Sequence, residues 1–328
     1  MKTNLKFIGI DVSKSTLDIC VLSEHQESFK IDNTPKSIRC FFSKHLSSKS
    51  VNYVCMENTG KYGWSLMELL SELECLFYVI NPLHLKKSMG LVRGKNDKID
   101  ALRIAKFIKS NYAEVAPFTA QRLKIKDLQV LLTERKHRIK QRKALVIKNK
   151  EYLCLTNKKM SKQLTTKNNR LIKELDKQIK DFELSIQEIV KQDQKLLTLH
   201  KQLVSTPGVG KILAWNLLVK TNEFKTITKP RKLACYAGVA PFENTSGTSI
   251  FRKPKVSNFA DKELKRLLHL GAMSAIRLEN DLSIYYHRKV DEGKNKMSVL
   301  NAVRNKIIHI IFALIKNQTF YQNRLVTS

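Results

Sequence analysis

Short apolar runs alternate with polar turns and helix-like segments through the first 115 residues, and this order constrains the region to an α/β fold. The runs LKFIGIDV and LDICVLS are separated only by Ser13-Lys14-Ser15, which predicts a β-hairpin, and SFKIDN predicts a third strand. Thr34 and Pro35 are typical of a helix start, and SIRCFFSKHL follows them. Two more strand-like runs, VNYVCME and CLFYVIN, flank the helix-like YGWSLMELLSEL. We therefore expect a mixed sheet covered by helices.

The chain changes character after this region. Residues 118–200 contain neither proline nor glycine, and apolar residues recur at helical spacing, which predicts two long helices with a break near Thr156 to Thr166. The remainder is mostly helical. We predict three domains: an RNase H-like α/β domain over 1–117, a basic long-helix or coiled-coil segment over 118–200, and a helical domain over 201–328.

The charge balance indicates a polyanionic partner. Sixty Lys and Arg residues against 29 Asp and Glu give a net charge of +31, far from the near-neutral balance of most proteins of this size. A proteome that is generally rich in lysine is the alternative explanation. We expect no membrane span and no secretion signal, and the six scattered cysteines are typical of reduced thiols in a cytoplasmic chain.

Four carboxylates are candidates for a metal site. Asp11 ends the first strand and Glu57 ends a later one, while Asp97 and Asp100 have the i, i+3 spacing that places both on one helix face. Such a set suits Mg²⁺, with Mn²⁺ as a possible substitute, and can support two-metal phosphoryl transfer. Each acid also has an ordinary explanation, as a turn former or as negative charge at a helix start.

Basic residues and glycines give candidate nucleic-acid contacts. From Glu134 to Lys150 there are eight Lys or Arg and one acid, which favours a nucleic-acid groove over a solvated helix face of mixed sign. The glycines of STPGVGKILAWNLL resemble those of a helix–hairpin–helix element, although a plain turn is an equal alternative. The candidate contacts are Arg93, Lys95, Arg135, Arg138, Arg142, Gly208, Gly210, Arg252 and Lys253.

A serine followed by glycine, Ser246, lies in a predicted loop flanked by basic residues. A hydroxyl in such a place can attack a phosphodiester. Taken alone, however, a Ser-Gly pair is most often an ordinary loop, and Ser249 is a second hydroxyl nearby.

Three segments at the start of the chain, GIDVSKSTLDICVL, MENTGKYG and RGKNDKIDALRIAKF, resemble the RuvC-like domain of the DEDD insertion-sequence transposases. YAGVAPFENTSGTS and the helical segments after it resemble the carboxy-terminal domain of the same family. That family includes bridge-RNA-guided recombinases and pilin-gene invertases. One departure lies in VSNFADKELKR, where Asn258, Ala260 and Asp261 replace a lysine followed by glycine and asparagine.

The resemblance implies a DNA recombinase with catalytic and metal-binding Asp11, Glu57, Asp97 and Asp100, and with Ser246 as a nucleophile that forms a transient phosphoserine link. It further implies donor and target DNA, a structured guide (bridge) RNA, a homo-oligomer, either dimer or tetramer, and a nucleoid-associated location in a prokaryotic cell. Three alternatives stay open: a Holliday-junction resolvase-like endonuclease that uses only the acids, a nucleic-acid-binding protein with a decayed site, and a DNA invertase of the same family.

Overall fold

The computed structural model describes residues 4–46, 50–88, 96–246 and 250–323. The chain divides into two compact units, residues 1–120 and 121–328.

The first unit is a five-stranded mixed sheet with helices on both faces. In order along the chain its elements are β1 (Asn4–Val12), β2 (Thr16–Leu22), β3 (Gln26–Asp32), α1 (Pro35–His45), β4 (Ser50–Glu57), a 3₁₀ turn (Gly60–Gly63), α2 (Trp64–Leu70), β5 (Leu76–Ile80), α3 (Pro82–Ser88) and α4 (Asp97–Asn111). The strand order is β3-β2-β1-β4-β5, with β1 antiparallel to β2 and parallel to β4. The predicted strand and helix order is confirmed.

Alternation along the strands assigns each residue to one face of the sheet. Ile8, Ile10 and Met56 pack with residues of α1 and α2, such as Phe42. Phe7 and Cys55 point the other way and share a core with residues of α4. Thr34 caps α1 as predicted, since its Oγ1 accepts a hydrogen bond from the Ser37 amide at 3.3 Å.

The second unit is mostly helical. Its elements are α5 (Leu123–Tyr152), α6 (Lys158–Lys191), α7 (Gln194–Ser205), α8 (Lys211–Lys220), α9 (Pro230–Tyr236), β6 (Pro241–Ser246), β7 (Ile250–Val256), α10 (Lys262–Ala275), α11 (Asp281–Asp291) and α12 (Lys296–Asn317). The two long helices are present, and the break between them overlaps only the start of the predicted stretch, Thr156 to Thr166. The break falls at 153–157, because the Asn157 side chain accepts a hydrogen bond from the Met160 amide and starts α6.

One core unites this unit. Ile125 of α5 and Val190 of α6 are buried in the same apolar cluster as Trp215 of α8 and Ile307 of α12. The division into three domains stays a prediction, but the long helices share their core with the helices that follow. Within the described residues, α12 is the one helix long and apolar enough to cross a membrane by composition, and it places several side chains in this core.

A left-handed turn follows α8. Asn222, Glu223 and Phe224 have φ angles of 48°, 57° and 63°, a conformation that costs energy in residues other than glycine. The buried Glu223 side chain is held by Arg122, whose Nε donates to its Oε2 at 2.9 Å. Arg122 also donates from Nη1 to Asp193 at 2.8 Å. Asp193 caps α7, so one arginine connects the start of α5, the cap of α7 and the turn.

Candidate active site

Asp11 and Glu57 lie side by side at one edge of the sheet. Ile10 of β1 is paired with Met56 of β4 in the parallel register, so each acid is the next residue along its strand. Neighbouring strands are about 5 Å apart, and paired residues of parallel strands point to the same face. Ile10 packs on the face of the sheet that α1 and α2 cover. Asp11 is the next residue along the strand, so its side chain points to the opposite face, which α4 covers.

Gly9 allows α4 to approach this face closely. A Cβ at Gly9 would lie 2.2 Å from both the Ala101 carbonyl oxygen and the Ala105 amide nitrogen. Cys20 and Cys55 are the partners of Gly9 on the two neighbouring strands, so small residues form the row beneath the helix. The helix therefore contacts β1 backbone to backbone, two residues before Asp11.

The first turn of α4 carries Asp97 and Asp100. Asn96 caps this turn by accepting a hydrogen bond from the Lys98 amide at 3.0 Å. Asp97 and Asp100 lie near enough to Asp11 to repel its carboxylate, as Glu57 does, so all four predicted acids are grouped at the same edge.

A fifth carboxylate belongs to this edge and was not predicted. Asp18 of β2 is the antiparallel partner of Asp11, and it is only 8% exposed. Asp18, Asp11 and Glu57 thus stand on three adjacent strands, and we call them the acidic row. The predicted hairpin gave this proximity only in part, because the register depends on the four residues Ser13 to Thr16 that separate the paired Val12 and Leu17 and so bring Asp18 opposite Asp11.

The electrostatics of Asp11 reflect this crowding. Burial, followed by repulsion from Asp97, Asp100, Glu57 and Asp18, raises the pKa of Asp11 from 3.8 to about 6. A carboxyl whose pKa is raised in the folded state loses stabilisation as pH rises from about 4 to 6. A bound cation would relieve that repulsion.

The donor chemistry of the site fits a hard divalent cation, since every candidate ligand is a carboxylate. The side chains are not gathered tightly, because within the described ranges no group of three or more His, Cys, Asp or Glu residues is close enough to hold a metal ion. Asp100 instead pairs with Arg103 at 2.6 Å. A cation would therefore compete with Arg103 and draw the carboxylates together.

Ser246 lies on a strand, so the prediction that it belongs to a loop is wrong. Thr245 and Ser246 end β6 and pair with Phe251 and Ile250 of β7, because the chain forms an antiparallel hairpin here. Arg252 and Lys253 lie on β7. Ser249, the alternative hydroxyl, lies outside the described residues, as do the candidate contacts Arg93 and Lys95.

The stretch Asn258 to Asp261, where this chain departs from the family pattern, joins β7 to α10. Asp261 caps α10 by accepting from the Leu264 amide at 2.8 Å, and it pairs with Lys220 at 2.7 Å. Gly238 has a φ angle of 64° and packs so closely on Ala260 that a Cβ there would lie 2.5 Å from the alanine methyl. The altered residues therefore form an ordered connection.

The arginines predicted to line a groove on α5 are engaged within the helix pair. Three of them contact α6: Arg135 pairs with Glu183 at 2.7 Å, Arg138 donates to Gln178 at 2.8 Å, and Arg142 pairs with Asp176 at 2.6 Å. These partners, two acids and a glutamine, lie far along the sequence, and the local count of charges could not show them. The side chains therefore hold α5 to α6, and their contact with nucleic acid stays a prediction.

The two glycines of the predicted helix–hairpin–helix element differ in role. Gly208 has a φ angle of 79°, and a Cβ there would lie 2.1 Å from the Gly271 carbonyl oxygen, so it is needed for close packing on α10. Gly210 precedes α8 and is exposed, with open space around a Cβ. The packing of the chain therefore requires glycine at 208 but not at 210, and contact of either residue with nucleic acid stays a prediction.

Comparisons with known proteins agree with both halves of the chain. A family model described as "Transposase", of the DEDD type of IS110, matches residues 8–158, and a model described as "Transposase IS116/IS110/IS902 family" matches residues 200–287. The chain is 26% identical to the pilin gene-inverting protein of Moraxella bovis, over 97% of this chain and 98% of that protein. It is 23% identical to the transposase for insertion sequence element IS1111A of Coxiella burnetii, over 97% and 92%. The chain therefore belongs to the IS116/IS110/IS902 family of transposases.

Proposed function

We propose that this transposase cleaves and rejoins DNA strands at a site formed by Asp11, Glu57, Asp97 and Asp100, with Ser246 as the nucleophile. The single observation that carries the proposal is the grouping of four acids, from two adjacent strand ends and one helix turn, at one sheet edge. Like charges are brought together at a cost to stability, and a required cation is the physical reason to keep them there.

The four carboxylates would hold Mg²⁺, or Mn²⁺ in its place. The bound cation would supply charge neutralisation and polarisation of the scissile phosphate. Asp11 and Glu57 would be held in place by the pairing of their two strands. The positions of Asp97 and Asp100 would depend on how closely α4 packs on the sheet. Arg103 holds Asp100 until the cation is present.

The covalent step transfers one phosphodiester bond to serine. The Ser246 hydroxyl oxygen bonds to phosphorus, the bond from phosphorus to one nucleoside oxygen breaks, and that oxygen leaves as a hydroxyl with the proton that serine releases. Attack by another strand's hydroxyl reverses the step and returns a proton to Ser246. The number of phosphodiester bonds is conserved, so rejoining requires no ATP.

Ser246→Ala is expected to abolish the covalent protein–DNA adduct, because no other atom of the site is proposed to bond to phosphorus. The adduct is measured by denaturing electrophoresis of labelled DNA incubated with the purified protein. Ser249→Ala is the matched control and should retain the adduct. An undiminished adduct in Ser246→Ala would refute the assignment, and cleavage that continues without any adduct would indicate the resolvase-like endonuclease.

We further propose that a structured guide RNA and more than one copy of the chain take part. The +31 net charge supports the proposal, because it can neutralise the phosphates of both DNA and RNA. Sequencing the RNA that copurifies with the protein expressed with its flanking DNA tests the guide. A discrete RNA encoded beside the gene is the expected result, and bulk cellular RNA would contradict it.

DNA inversion is the second candidate outcome of the same chemistry. The full-length similarity to a pilin gene-inverting protein favours it. A plasmid that carries paired sites in inverted orientation separates the two outcomes, since inversion flips the intervening segment and transposition moves it to another molecule.

A further inference from the structure

Asp18 stands beside Asp11 on the face that α4 covers, yet it is not among the four acids of the proposed site. We propose that Asp18 is a fifth carboxylate of the cation site, which raises the affinity of the site for a divalent cation. The inference rests on the proposed function, because it concerns the cation that function requires.

The hairpin register fixes the position of Asp18. Asp11 and Asp18 are direct partners in the antiparallel pairing of β1 and β2, and Gly9 and Cys20 are partners two residues further along. Directly opposed side chains of antiparallel strands have Cβ atoms about 5 Å apart. Both carboxylates therefore stand in one row, within the reach of a single cation.

The burial of Asp18 is an independent observation. The residue is 8% exposed, and its Oδ2 is fully buried and accepts no hydrogen bond within the part of the chain that the structure describes. A buried carboxylate oxygen without a hydrogen-bond donor is costly to keep. The nearest donor to this oxygen is the Lys30 ammonium, which forms an ion pair with it at 3.5 Å rather than a hydrogen bond.

The Lys30 ammonium, which pairs with Asp18, is weakly placed. Lys30, the partner of Asp18 on β3, lies 3.5 Å from Oδ2, and the Lys30 side chain is 60% exposed. An ion pair with so exposed a lysine contributes little to stability, so the pair does not account for the burial of the acid. We infer that Lys30 balances the charge of Asp18 in the cation-free protein and competes with the cation.

Titration of the full-length protein with Mn²⁺, followed by electron paramagnetic resonance of the free ion, tests this role. Asp18→Asn keeps the shape of the side chain and should weaken Mn²⁺ binding about 10- to 100-fold, the usual range for a residue that supports a metal site. Lys30→Met should instead tighten Mn²⁺ binding by about two- to fivefold, since it removes a competing charge. Glu27→Gln is the control for loss of one negative charge, because Glu27 is exposed near the other end of β3, and it should leave binding unchanged.

The opposite signs of the two effects separate a cation role from a structural one. If Asp18 served only to pair with Lys30, both variants would lower the melting temperature and neither would change Mn²⁺ affinity. Unchanged affinity in Asp18→Asn, with Mn²⁺ still bound by the wild-type protein and lost in Asp11→Asn, would overturn the inference alone. A wild-type protein that binds no Mn²⁺ would overturn both the inference and the cation of the proposed function.

Discussion

Gly9→Ala is expected to lower the rate of DNA strand cleavage by about 100-fold and to weaken Mn²⁺ binding with it. The added methyl group would lie 2.2 Å from backbone atoms of α4, which cannot move aside as a flexible side chain can. The helix must therefore shift outward by about 1 Å, and a displacement of that size at a catalytic group has a cost of this order. The shift carries Asp97 and Asp100 away from Asp11.

The matched control is Gly210→Ala, where a Cβ finds open space and the backbone is not in the left-handed region. It should leave Mn²⁺ binding and the fold unchanged. Circular dichroism of Gly9→Ala should show native helix content with a lower melting temperature, since overpacking costs about 1–3 kcal/mol. A folded Gly9→Ala protein that binds Mn²⁺ as the wild type does would show that the seating of α4 does not position the acids.

Arg122→Met is expected to reduce the free energy of unfolding of the second unit by about 3–5 kcal/mol. The Glu223 side chain is 0% exposed and loses its bidentate partner, and Lys225, 3.1 Å from it, is the cation that stays. Asp193 loses the same arginine at the cap of α7. Urea unfolding followed by tryptophan fluorescence measures the change, because Trp215 is buried in this unit. The exposed Arg170→Met is the control and should change stability little.

The same cluster gives a pH dependence with a defined sign. Burial alone would raise the pKa of Asp193, but the hydrogen bonds from the Leu196 amide and Arg122 hold it at about 2. Arg122 likewise lowers the pKa of Glu223 against the effect of burial. A depressed carboxyl pKa contributes stability above about pH 4 that is lost as pH falls toward 2. The stability difference between wild type and Arg122→Met should therefore shrink between pH 7 and pH 3. A difference that stayed constant would mean that the arginine acts through packing alone.

The fold of the first unit was predictable because its signals are local. Alternating apolar runs, the short turn after Val12 and the Thr34-Pro35 helix start each specify an element without reference to distant residues. The predicted break between α5 and α6 extends too far along the chain because the polar residues after Asn157, including Thr165 and Thr166, are tolerated inside a helix. Helix ends depend on which side chain caps the backbone, and composition does not show that.

The candidate site was predictable only in part, since its remaining parts depend on pairing. Asp11 and Glu57 could be recognised from the sequence because they lie at strand ends. Asp18 can be recognised only when the β1–β2 register is known, and Gly9 only when the position of α4 is known. The arginines of α5 read as a free basic face because their acidic partners on α6 are 34 to 48 residues away. Ser246 was singled out by resemblance, and the hairpin that carries it was read as a loop.

The turn at Ser13-Lys14-Ser15 also limits how the gene can vary. Side chains on a strand change faces at every residue, so a one-residue insertion or deletion between Val12 and Thr16 that shifts the β1–β2 register would turn Asp18 away from Asp11. The next turn, at Ser23 to His25, joins β2 to β3 far from the acids and can change length without that effect. Among related proteins that keep the activity, insertions and deletions should therefore occur at the second turn, between β2 and β3, and be rare at the first, between β1 and β2.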